Sequence, residues 1–266
     1  MRSFLSSVRV VAAKEFRDCW RNLWLIVGSA LFACLSLAVV FGTAAIGGDF
    51  SFRPLEAVMT SVVTLGVFLI PRSEEHDAFV GEQEHGTLIL LLTYPLSRPA
   101  LLTGKLLGQS AALGVCLLLG FSVLPLLTVL NVLPYDLTRL SLLTAVLIFS
   151  GWLLGLVFIL ISLTISLLAK NKARALGVLL SIWLLSVLFY DLGLLIITIA
   201  FEHQITNGFL NICLAVNPAS AFRLFNQQLL ENSTIPLQTA WLGVYLCLWS
   251  AVLFVLDRFI LNKRTF

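Results

Sequence analysis

The sequence predicts an all-α integral membrane protein with six transmembrane helices preceded by an interfacial helix. Three observations carry this. Of 266 residues, 59% are hydrophobic and only 12% charged, about half the charged share of a soluble domain. Apolar runs recur at lengths that cross a bilayer. Lys and Arg gather on one side of the resulting topology, which decides more than the net charge of +3. No low-complexity run or Ser/Gly linker divides the chain, so residues 1–266 read as one membrane domain.

Residues 1–22 place Phe4, Val8, Val11, Ala12, Phe16, Cys19 and Trp20 on one helical stripe, with Lys14, Arg17 and Arg21 pointing away. That pattern predicts a helix in the cytoplasmic interface, its basic residues toward anionic headgroups. Glu15, near the apolar edge, interrupts it. The next run, Leu23–Ile46, is too long for the h-region of a signal peptide and predicts a retained first span. Leu106–Leu133, Leu140–Ala169, Ala175–Phe201 and Leu237–Leu256 follow, each reaching the ~20 residues a span needs. Ala57–Pro71 is shorter, and the basic residues arbitrate. If it spans, Arg2, Arg9, Lys14, Arg17, Arg21, Arg72, Arg98, Lys105, Lys170, Lys172, Arg174, Arg258, Lys263 and Arg264 are cytoplasmic, against Arg53, Arg139 and Arg223 outside: 14 of the 17 Lys and Arg. If it does not, the bias disappears. Six helices with both termini cytoplasmic follow.

Two segments between spans are long enough to carry a task. Residues 72–100 hold Glu74, Glu75, Asp77, Glu82 and Glu84, with Gly81 and Gly86 beside them. Acids on the cytoplasmic side run against the basic bias there, which favours a docking helix for a basic groove on a soluble partner over a merely solvated loop. Residues 202–236 lie outside. Asn217-Pro218 reads as an N-cap followed by Pro at the first helical position, and the helix after it is expected along the outer leaflet or under a partner protein.

Asp191 interrupts the fifth span and is the only acid expected inside one, placed near the midplane. It is either a coupling or substrate site or a hydrogen-bonded residue joining two helices. Gly151-x-x-x-Gly155 is a chance match as readily as a close-packing motif.

No chemistry of an enzyme is present. Gly104-Lys105 lacks the Ser/Thr and the first Gly of a phosphate loop, so any nucleotide chemistry belongs to a separate subunit. No His/Cys cluster indicates a metal, and the chain is expected to hold no cofactor and no nucleic acid. The sulfur and imidazole ligands inside the spans reduce to Met59, Cys34, Cys116 and Cys247 on four helices, too scattered for a path that hands along a soft metal ion.

Gly81-Glu82-x-Glu84-x-Gly86-Thr87-Leu88, Leu90-Leu91-Leu92, Tyr94-Pro95-x-Ser97-Arg98, Gly104-Lys105, Lys14-Glu15-Phe16-Arg17-Asp18 and Asn217-Pro218 with Phe222-Arg223 resemble ABC-2 type permeases. Within them they resemble the permease of the ABC complex that matures nitrous oxide reductase. Glu75-His76-Asp77 departs from the Gly-Tyr-Asp expected there. The resemblance implies a homodimer in a bacterial inner membrane, with an ABC ATPase that binds ATP and Mg on the cytoplasmic side. It puts ATPase coupling on Glu74, Glu75, Asp77, Glu82, Glu84, Gly86 and Thr87. It also implies a periplasmic maturation protein of the NosD kind, met by Phe222, Arg223 and Phe225. The alternatives are an ABC-2 exporter of a drug or lipid, and an ion-coupled secondary carrier using Asp191.

Overall fold

The computed structural model describes residues 4–21, 23–47, 50, 63, 79, 81, 97–201, 207–231 and 237–263, and among these the regular structure is helical. The helices are α1 (Phe4–Arg21), α2 (Trp24–Gly47), α3 (Arg98–Val129), α4 (Leu137–Leu168), α5 (Lys172–Ala200, with a π-helical turn at Leu185–Phe189), α6 (Asn207–Val216), α7 (Pro218–Glu231) and α8 (Leu237–Lys263). Five of them are long and apolar enough to cross a membrane: α2, α3, α4, α5 and α8.

Local chemistry sets their ends. Ser97 and Pro99 open α3, Pro supplying a preset φ where no N–H is needed. Asp136 accepts the Arg139 N–H at 3.0 Å to start α4, and Asn171 accepts that of Arg174 at 3.0 Å to start α5. The tight link from α3 to α4 turns on Asn131, in the left-handed region at φ 57°.

Packing against α3 orders the bundle. Ideal Cβ atoms on Gly104, Gly108 and Gly120 would meet Val11, Glu15 and Phe32 at 2.4–2.6 Å, so α1 and then α2 lie along α3 in the same direction. α4 returns antiparallel, with Trp152 Nε1 donating to Ser110 O at 2.9 Å. Arg98, at the start of α3, donates to the carbonyls of Leu261 and Asn262 at 2.9 and 3.1 Å. A guanidinium thereby caps the negative end of α8 and fixes that end beside the start of α3. The starts of α2, α3 and α5 and the ends of α4 and α8 therefore share one end of the bundle, which carries most of the described Lys and Arg. Gly47 and Ser97 stand at opposite ends, as the six-helix expectation requires. The expected second span lies outside the described residues except for Val63, fully buried against Gly151. Gly151, read as a chance match, thus admits a close neighbour.

Two expectations change. The stripe of α1 buries Val8 and Val11, together with Ser7 and Glu15, against α3, while Phe4 and Trp20 remain exposed. A protein neighbour there covers part of the face expected to meet lipid. Among the described residues of 202–236, the helix after Asn217 is not a surface helix, since Phe222 and Asn226 on it are buried. α6 and α7 are bent 119° to each other. Phe201 and Leu237 lie at the same end of the bundle, so the pair is re-entrant.

Gly108→Val forces a branched side chain against the Ala12 carbonyl, 2.7 Å from the Cβ position, and is expected to cost about 1–3 kcal/mol. Gly114→Ala meets only the Trp152 ring, at 3.5 Å, and is expected to stay within about 0.5 kcal/mol. Thermal unfolding in detergent distinguishes the two.

Candidate functional site

Polar side chains inside this apolar bundle concentrate in two places. The first is at the basic end. Lys105 of α3 is 1% exposed and donates to Glu15 Oε1 of α1 at 3.1 Å, while Lys14 reaches the same oxygen at 3.2 Å. Burial pushes the Glu15 carboxyl up, but Lys105 and then Lys14 attract the charged form enough to hold it below the usual range. Lys105 Nζ also stands 5.4 Å from the centroid of the Phe79 ring. Phe79 is fully buried, and its backbone N–H donates to Ser166 Oγ of α4 at 3.2 Å. Of the coupling residues expected from sequence, Glu74, Glu75, Asp77, Glu82, Glu84, Gly86 and Thr87 lie outside the described residues. Phe79 and Gly81, within the same segment, are buried.

The second place surrounds Asp191, where the π-helical turn in α5 meets the re-entrant pair. A π turn leaves backbone carbonyls misaligned, and Asn217 Nδ2, at the bend between α6 and α7, donates to that of Ser186. Asn217 Oδ1 accepts the Ala219 N–H at 3.1 Å, so one side chain both caps α7 and ties it to α5. Tyr190 Oη donates to the Cys213 carbonyl at 2.5 Å. Ser220 Oγ donates to Asp191 Oδ1 at 2.9 Å, and Arg223 forms an ion pair with the other oxygen. The middle of α5 is Ser186, so Asp191 lies five residues, ~7.5 Å, beyond it on the side away from the basic end.

These contacts relocate the residues expected to face a periplasmic partner. Phe222 is fully buried in the main core, Arg223 is turned to Asp191, and the Phe225 ring lies 3.5 Å from the Cβ position of Gly243 in α8. Asn226, also buried, accepts from Ser150 Oγ of α4 at 3.0 Å. Beside the ion pair opens a cleft of about 410 Å³, walled by Leu194, Leu195, Thr198, Leu210, Leu214 and Leu224, a size suited to a small molecule.

Asp257 was missed. It follows the last apolar run and reads as cytoplasmic, yet α8 continues to Lys263 and buries it completely, with Thr164 Oγ1 2.5 Å from Oδ1. Asp191 is therefore not the only acid within a spanning helix. Lys105 was equally hidden, since a lysine at the start of a span reads as an orientation signal. The one legible hint was Glu15 interrupting an apolar stripe.

Asp191→Asn or Arg223→Gln leaves one charge unpaired in a partly buried site, whereas the double variant removes both. A thermal double-mutant cycle is expected to return about 1–3 kcal/mol of coupling. Normal stability of Asp191→Asn with lost function would instead assign the carboxylate a working role.

The chain matches the family model described as ABC-2 family transporter protein over residues 75–265. It is 35% identical to a Pseudomonas aeruginosa protein named "Probable ABC transporter permease protein NosY", over 97% of this chain and 98% of the relative. It is also 35% identical to a Stutzerimonas stutzeri protein of the same name, over 98% and 99%. With the helical bundle, that agreement over nearly the full length establishes that this chain belongs to the ABC-2 family of transporter proteins.

Proposed function

We propose that this chain is the permease subunit of an ABC complex in a bacterial inner membrane, serving maturation of the copper sites of nitrous oxide reductase. A separate ATPase binds ATP and Mg and docks on residues 72–100, and this chain passes its motion across the membrane without catalysis of its own. The name shared by the two relatives supports the assignment. The single observation that supports the coupling role is the anchorage of Phe79, a residue within 72–100, to α3 and α4 at the basic end. The basic bias makes that end, with both termini, cytoplasmic.

A homodimer completes the transporter, and α5 offers a surface for it: from Leu180 to Ala200 it buries no residue of its own. At the opposite end, the rim of the re-entrant pair is where a periplasmic maturation protein would sit, Phe225 being nearer to it than the buried Phe222. Transmission suits the ligand placement better than copper conduction does. Cys34 and Cys247 are exposed on different helices, and Cys116 is buried with its thiol on the Leu25 carbonyl at 3.4 Å. The apolar cleft beside Asp191 favours one second reading, export of a small amphiphile such as a drug or lipid. An ion-coupled carrier fits less well, because Asp191 already has Arg223 as its counter-ion.

Reversing Glu82 and Glu84 to Arg is expected to detach the ATPase, by several kcal/mol of lost attraction, while the protein stays inserted. Co-purification of the ATPase with the reversed chain sinks acidic docking. For orientation, single cysteines at Ser97 and Thr234 in a cysteine-free background are expected to react with an impermeant thiol reagent from inside and outside respectively; the opposite pattern overturns the topology.

A further inference from the structure

Three elements converge on one ammonium group at the basic end. Among the described residues, Lys105 is the only basic side chain that is fully buried. It lies between Gly104 and Gly108, which already bring α1 against α3. Adhesion of those two helices needs no charge there, since an apolar side chain would pack between them without desolvating an ammonium. A cation adds what an apolar group cannot. It holds the Glu15 carboxylate of α1 at 3.1 Å and attracts the face of the Phe79 ring, 5.4 Å away. Phe79 is held in turn by the Ser166 hydroxyl near the end of α4. α1 ends at Arg21 and α2 begins at Trp24, so a shift of α1 reaches the first span through a very short link.

We infer that Lys105 is a positioning residue that locks Phe79 to α1 and the start of α3, so that displacement of Phe79 moves α2 through α1. The inference rests on the reading of residues 72–100 as the ATPase dock, and it adds the route by which motion leaves that dock. A bolt that merely stabilises the fold and a relay differ in what rescues them. Exchanging the charges (Glu15→Lys with Lys105→Glu) restores the ion pair but sets a carboxylate against the negative face of the ring. Phe79→Leu keeps apolar bulk and removes that face.

The test uses the full chain with its ATPase in lipid nanodiscs, in a cysteine-free background carrying Ile46→Cys at the far end of α2, where the side chain is 93% exposed. Four quantities are measured: the unfolding midpoint, ATPase retention, ATP hydrolysis, and the change in maleimide labelling rate at position 46 on adding ATP and vanadate. Phe79→Leu and the charge exchange are expected to keep the ATPase bound and hydrolysing, with midpoints within about 3 °C of wild type. Their ATP-dependent change in labelling is expected to fall about tenfold. A full labelling response in Phe79→Leu overturns the relay, as does a charge exchange that restores every readout. Loss of the ATPase in Phe79→Leu overturns it too, by assigning Phe79 to docking itself, and if the charge exchange fails to fold, Phe79→Leu decides alone. A wild-type chain that retains its ATPase but shows no labelling change refutes the relay while leaving the dock intact; one that binds no ATPase refutes the dock and the relay together.

Discussion

The arrangement depends on α3. At 32 residues it is ~48 Å long, well beyond a hydrocarbon core of ~30 Å, and three glycines on it admit two other helices to near contact. Because α1 and then α2 follow it in the same direction, the N-terminal helix covers the part of α3 nearest the basic end and α2 covers the rest. Arg98 then seats the last helix against the start of α3, and the Trp152 bond to the Ser110 carbonyl sets the depth of α4. Remove the close approach at Gly104 and Gly108, and the ion pair between Glu15 and Lys105 loses its geometry.

Lipid cannot solvate polar groups, and the bundle meets that demand locally first. Ser36, Thr43, Thr144 and Ser250 each return a hydroxyl to the carbonyl four residues earlier, at 2.6–3.0 Å. Ionisable side chains take partners from other helices. Asp191 takes Arg223 and Ser220, Glu15 takes Lys105, and Asp257 takes Thr164. Each of these pairs joins elements far apart in sequence, and each marks a place where two helices cannot slide freely. The basic-end cluster and the Asp191 cluster lie toward opposite ends of the bundle.

The re-entrant pair shows how such a site is assembled. A π-helical turn disturbs the carbonyl ladder of α5, and Asn217 both satisfies the Ser186 carbonyl and caps α7. The neighbouring Ser220 and Arg223 then meet Asp191 from the same helix, one turn apart. A cleft remains because leucines from three helices line it without closing it.

Membrane residence, the long apolar spans and the side on which basic residues gather were legible in the sequence, because each depends on composition and on distance along one helix. The motifs from Gly81 to Lys105, with Asn217-Pro218, carried the resemblance to a family for the same reason: they are contiguous. The partners of charges were not legible. Lys105 reads as an orientation signal and Asp257 as a cytoplasmic residue until α1 and α4 are laid beside them. Phe222 reads as exposed until the re-entrant bend turns it inward. Hydropathy along the chain sets what must leave water, whereas the partner that each buried charge finds depends on contacts between helices distant in sequence, which tertiary packing alone decides.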